Sequence, residues 1–90
     1  MTRRLIVQGR VQGVWYRGWT VATARALGIE GWVRNRRDGS VEILAVGPEE
    51  AMALFIERCR EGPAAARVDR IDVEETDDAV VAGFAQRPTA

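Results

Sequence analysis

The sequence predicts an α+β fold of the order βαββαβ: an antiparallel sheet with two helices on one face and a possible short fifth strand. Three observations carry this expectation. Two stretches with helical spacing are each closed by a glycine, and two β-rich runs flank an Asp38-Gly39 turn. Ninety residues also suffice for one modest core and a single domain, 1–90.

Leu5, Ile6 and Val7 open a first strand that should run to about Arg10. From about Arg17 to Leu27 the spacing turns helical, with Thr20, Ala24 and Leu27 on one face and Gly28 as the stop. Ile29 to Arg36 and Ser40 to Val46 then form a hairpin in which Val41, Ile43 and Ala45 face a core. Gly47 and Pro48 end that strand and start a second helix, whose apolar stripe is Met52, Phe55, Ile56 and Cys59. Gly62 and Pro63 stop it. Arg67 to Glu74 keeps period two except at Val68, which suggests a bulge or a late start, and a short closing strand is expected around Phe84. Both helices of such a split βαβ lie on one face of the sheet, as in the ferredoxin-like sandwich. That fold serves many functions, so side chains must supply the rest.

Composition removes whole classes of chemistry. The chain is 47% hydrophobic and 29% charged, which suits a folded domain, and no apolar run approaches the roughly 18 residues of a membrane span. Its N-terminus turns polar too soon for a signal peptide, so a cytoplasmic protein with no membrane partner is expected. With no histidine and only Cys59, His-based triads, Cys–His pairs and almost every zinc, copper or iron site are excluded. The acidic run from Glu74 to Asp78 reads as an exposed loop rather than a Mg²⁺ or Ca²⁺ cluster, so no metal and no cofactor is expected. Charge is uneven: residues 1–45 carry eight arginines against three acids, and the rest reverses the balance. That polarity suggests an anionic ligand on the N-terminal half, although a solvated surface would show it too.

The stretch VQGRVQGVWYR, Val7 to Arg17, is where such a ligand would sit. Glycines at 9 and 13 let backbone approach a ligand closely, unpaired N–H groups at a helix start attract anions, and Arg17 would close the cradle. It is neither G-x-G-x-x-G nor a lysine-bearing phosphate loop, because all 13 basic residues are arginine. Taken locally, a bland strand-to-helix connection accounts for the stretch as well as a phosphate site does. Arg17 and Asn35 would then be a surface arginine and a residue preceding a turn.

Two longer patterns change that balance. Val7, Gly9, Val11, Gln12, Gly13, Val14 and Arg17 fit V-x-G-x-V-Q-G-V-x-F-R, and Gly31, Trp32, Val33, Asn35, Gly39, Val41 and Gly47 fit G-W-V-x-N-x-x-x-G-x-V-x-x-x-x-x-G. In these residues the chain resembles the acylphosphatase family over about residues 4 to 74, with Tyr16 where the family usually has Phe. The resemblance implies metal-independent hydrolysis of the carboxyl–phosphate bond of acyl phosphates, giving a carboxylate and inorganic phosphate. It also implies that Arg17 and the backbone N–H groups of Gly13, Val14, Trp15, Tyr16 and Arg17 bind phosphate, and that Asn35 positions the attacking water. Inorganic phosphate or sulfate would then be a site ligand, and the chain a monomer with no nucleic-acid partner.

These residue types suit that chemistry. The leaving carboxylate has a conjugate acid with a pKa of roughly 4, so nothing need protonate it, and the task reduces to positioning and charge stabilisation. Arginine's planar fork binds phosphate bidentately, and an asparagine carbonyl can hold water without repelling the anion. Two other readings stand beside this one: an anion-binding module without turnover, and an RNA-binding domain in which Trp15, Trp19 and Trp32 stack bases. The tryptophans cluster mostly at the loop and helix, which favours core or rim packing instead. Cys59 reads as a small core filler.

Overall fold

A computed structural model describes residues 1–90. The elements run β1 (Thr2–Arg10), α1 (Tyr16–Leu27), β2 (Glu30–Asn35), β3 (Val41–Val46), α2 (Glu49–Glu61), β4 (Arg67–Glu75) and β5 (Phe84–Gln86). The sheet order is β4-β1-β3-β2-β5. The four expected strands pair antiparallel throughout, and the short fifth lies parallel to β2, which makes the sheet mixed.

Leu5, Val7, Val33, Val41, Ile43, Ala45 and Ile71 from one sheet face meet Tyr16, Ala24, Met52, Phe55 and Cys59 from the helices in a single core. The stripes read from periodicity are therefore the ones buried, with Leu27 and Ile56 partly covered at their margins. Alternation on β2 puts Val33 and Asn35 on this helix-covered face. Asn35 stands opposite Val41 at the end of the strand, beside the start of α1.

The irregularity expected at Val68 is a bulge. Gln8 pairs with Arg70 and Gly9 with Val68, so Asp69 is the unpaired extra residue on β4. On the open sheet face, Leu44 is only 1% exposed and Glu42 only 8%. Flanking strands supply the cover: Glu42 accepts from Arg4 at 3.0 Å and from Arg34 at 2.7 Å, and Trp32, beside Leu44, lies under the guanidinium groups of Arg34 and Arg87. Arg3 and Arg4 also pair with Glu75, Glu74 and Asp78. Part of the basic excess of the N-terminal half is thus neutralised across the sheet by acids of the C-terminal half. No helix is long and apolar enough to cross a membrane.

Candidate active site

The segment between β1 and α1 crosses the sheet end in a conformation that leaves its amides free. Gly13 takes φ 72° and Trp15 φ 66°, both left-handed, and glycine adopts that region without cost. The turn starts α1 with no side-chain cap and no acid in its first turn. The main-chain N–H groups from Gly13 to Gly18 consequently donate to no acceptor in the protein. Two left-handed residues and a bare helix start together make a concave run of donors suited to an anion.

Three anchors fix that run. Tyr16 is buried in the core and its hydroxyl donates to the Cys59 carbonyl at 2.7 Å, the partner its extra oxygen requires. Thr20 folds its hydroxyl back onto the Tyr16 carbonyl at 2.8 Å. Gln12 reaches across to the β2–β3 hairpin, its amide donating to the carbonyls of Arg36 and Ser40, both at 2.8 Å. Sequence reading took Gln12 only as part of a pattern. Its bridging role spans 24 and 28 residues of chain, which no local signal contains.

A pocket of about 130 Å³ opens over the loop, lined by Val11, Gly13, Trp15, Tyr16, Arg17, Gly18, Asn35 and Gln86. The geometry thus brings Arg17 and Asn35 together, along with three of the other four residues expected in the cradle. Val14 does not line the pocket; it packs against the core, and only its free N–H belongs to the loop. Gly18 and Gln86 are additions that the sequence did not reveal. Arg17 is half-buried and forms no ion pair, whereas Arg3, Arg4, Arg34, Arg36, Arg67 and Arg70 all have acidic partners. Asn35 Oδ1 is buried without a hydrogen-bond partner, the single such side-chain atom in the chain. A buried carbonyl oxygen left unmatched costs about 1–3 kcal/mol unless a ligand or water serves it.

The backbone of Asn35 is held firmly. Its carbonyl accepts from Ala90 N–H at 3.0 Å, and Arg87 N–H donates to the Val33 carbonyl at 2.8 Å, extending the β5 pairing along β2. Elsewhere, two ionisable groups are shifted by their surroundings. Ser40 donates to Asp38 from both backbone and hydroxyl and holds its carboxyl below the usual range, and burial pushes the Cys59 thiol up to about 12. Neither lines the pocket. No cluster of three or more His, Cys, Asp or Glu side chains is arranged to hold a metal ion.

The chain is similar along most of its length to proteins of one family. The family model for acylphosphatase matches residues 3–86. An acylphosphatase of Rhizorhabdus wittichii is 56% identical over 89 residues, covering 99% of this chain and 90% of its own length. One of Rhodospirillum rubrum is 53% identical over 83 residues, covering 92% and 91%. The crystal structure of acylphosphatase from Bacillus subtilis matches with a TM-score of 0.88 at 40% identity, covering 96% of this chain and 97% of that one.

Proposed function

The chain belongs to the acylphosphatase family and hydrolyses acyl phosphates, and from that premise we propose how its residues divide the work. Arg17 clamps two phosphoryl oxygens, and the N–H groups of Gly13 to Arg17 receive the charge that spreads over the phosphoryl group as the bond to the carboxyl oxygen lengthens. Asn35 Oδ1 accepts a hydrogen bond from the attacking water and aims its oxygen at phosphorus, in line with the departing oxygen. The water oxygen bonds to phosphorus, the phosphorus–carboxyl oxygen bond breaks, and its electron pair leaves as the carboxylate. The water's proton passes to a phosphate oxygen or to solvent.

One observation carries this reading: an unpaired arginine and an unmatched buried amide oxygen line the same small pocket, over free backbone donors. A carboxylate in place of the amide would repel the phosphate, and a metal is not required because the leaving group is already a good one. The enzyme works as a monomeric single domain, 1–90, in the cytoplasm, with inorganic phosphate or sulfate as a competing ligand of the same cradle and without a nucleic-acid partner.

The test is hydrolysis of acetyl phosphate in EDTA, with p-nitrophenyl phosphate in parallel. Acetyl phosphate turnover is expected to be insensitive to EDTA, the phosphomonoester to be a far poorer substrate, and Arg17→Ala to lose activity by on the order of 10³ or more. Full turnover in Arg17→Ala would remove the clamp from the mechanism. Comparable rates on both substrates would contradict the leaving-group argument.

A further inference from the structure

The phosphate cradle leaves half of the substrate unread. We infer that the indole of Trp15 is the platform on which the acyl group rests, so that aromatic or bulky apolar acyl phosphates are bound better than acetyl phosphate. The inference rests on the phosphate site proposed above.

The pocket's volume of about 130 Å³ is well under the roughly 300–1,000 Å³ of sites that enclose a whole organic ligand. A phosphoryl group held among the loop amides therefore leaves its acyl group at the mouth. Trp15 lines this pocket and is 67% exposed, the one strongly exposed aromatic side chain of the protein. Its indole lies across the first turn of α1, where Gly18 makes room: a Cβ at residue 18 would collide with Nε1 and Cδ1 of the ring. The ring is thus seated over the pocket's own lining.

The other two tryptophans have partners. Trp19 packs against Tyr16 with ring centroids 5.6 Å apart, and Trp32 lies under Arg34 and Arg87. Trp15 has no aromatic or cationic partner, and its backbone sits at φ 66°, the one non-glycine residue with positive φ. A bulky residue in that region carries a conformational cost of order 1–3 kcal/mol. An exposed apolar ring in a strained backbone position contributes little to folding, and a stacked acyl group supplies the missing partner.

The test is steady-state kinetics with benzoyl phosphate and acetyl phosphate on the wild type, Trp15→Asn and Trp15→Phe, with inorganic phosphate as competitive inhibitor. Asparagine tolerates the left-handed backbone, so it removes the ring without adding strain. The wild type should show a lower KM for benzoyl than for acetyl phosphate. In Trp15→Asn the benzoyl-to-acetyl ratio of kcat/KM should fall about 3- to 10-fold, mainly through KM, and Trp15→Phe should keep it within about twofold. An unchanged ratio in Trp15→Asn with phosphate inhibition intact overturns the inference and leaves the phosphate site standing. A wild-type KM no lower for benzoyl phosphate overturns it without any variant. Full turnover in Arg17→Ala would instead remove the site on which both readings depend.

Discussion

Gln12→Glu should disable the enzyme by exchanging an amide nitrogen for an oxygen. The amide nitrogen of Gln12 donates to two carbonyls at the base of the β2–β3 hairpin, those of Arg36 and Ser40. The same hairpin closes on itself through Arg36 N–H to Ser40 O at 2.9 Å and Gly39 N–H to Arg36 O at 3.1 Å, so the two acceptors cannot rotate away without opening the turn. A carboxylate at position 12 has no donor to offer and faces both oxygens. Losing two net hydrogen bonds costs about 2 kcal/mol, and pressing a carboxylate against two carbonyl dipoles adds about as much again. Loop and hairpin relieve that cost by moving apart. Because one carries the cradle and the other follows Asn35, a shift of about 1 Å costs about 100-fold in rate. The assay is kcat/KM for acetyl phosphate from pH 5 to 8 beside the wild type. Gln12→Ala, which removes the bonds without the repulsion, is expected to lose about 10-fold, and Gln12→Glu about 100-fold at pH 8. Once protonated, the carboxyl introduced by Gln12→Glu has one donor again, so the variant's activity relative to wild type should rise as pH falls. Gln12→Glu activity within twofold of wild type at pH 8 would refute the bridging argument.

Asn35→Asp places a negative charge beside the phosphoryl group and should be no more active than Asn35→Ala, both down by about 10² or more in kcat for acetyl phosphate. Tyr16→Phe, which restores the family's usual residue, should cost about 1–2 kcal/mol, read as a fall in Tm of about 4–16 °C, with turnover largely retained. The cause lies at the end of α2: residue 63 is proline, so the Cys59 carbonyl has no intrahelical donor, and the Tyr16 hydroxyl is its partner. A Tm within 2 °C of wild type would contradict this. Burial raises the pKa of both Cys59, from 9.0 to about 12, and Tyr16. The unfolded chain therefore releases these protons first, and stability should be full below about pH 9 and fall progressively above it, by up to about 1.4 kcal/mol per pH unit for each group. Urea unfolding midpoints at pH 7, 9 and 10.5 check this; Cys59→Ala, though less stable at pH 7, should fall less steeply.

The sequence disclosed most of the frame because each element carries its own stop and its own period. Gly28, the Asp38-Gly39 turn and the Gly62-Pro63 pair set boundaries that the structure reproduces within about two residues, except that β1 begins three residues earlier, at Thr2. Long-range side-chain cover has no such signature. The burial of Glu42 and Leu44 depends on arginines from neighbouring strands and on Trp32, and the parallel pairing of β5 rests on three residues with little pattern of their own. Within the site, Arg17 and Asn35 were legible through the two motifs, while the Gln12 bridge, the contribution of Gln86 and the left-handed backbone of Trp15 were not. A positive φ is announced by glycine or asparagine, and tryptophan gives no such notice.

The interior strand β1 is zipped on one side to β4, a partner more than fifty residues away in the chain. Such a ladder must close a long loop before its contacts repay the entropy, so refolding of this small enzyme should be slow for its size. The phosphate loop hangs directly from the end of β1 that this pairing secures. Recovery of hydrolysis after dilution from denaturant should accordingly coincide with the final cooperative phase, with no active species appearing earlier.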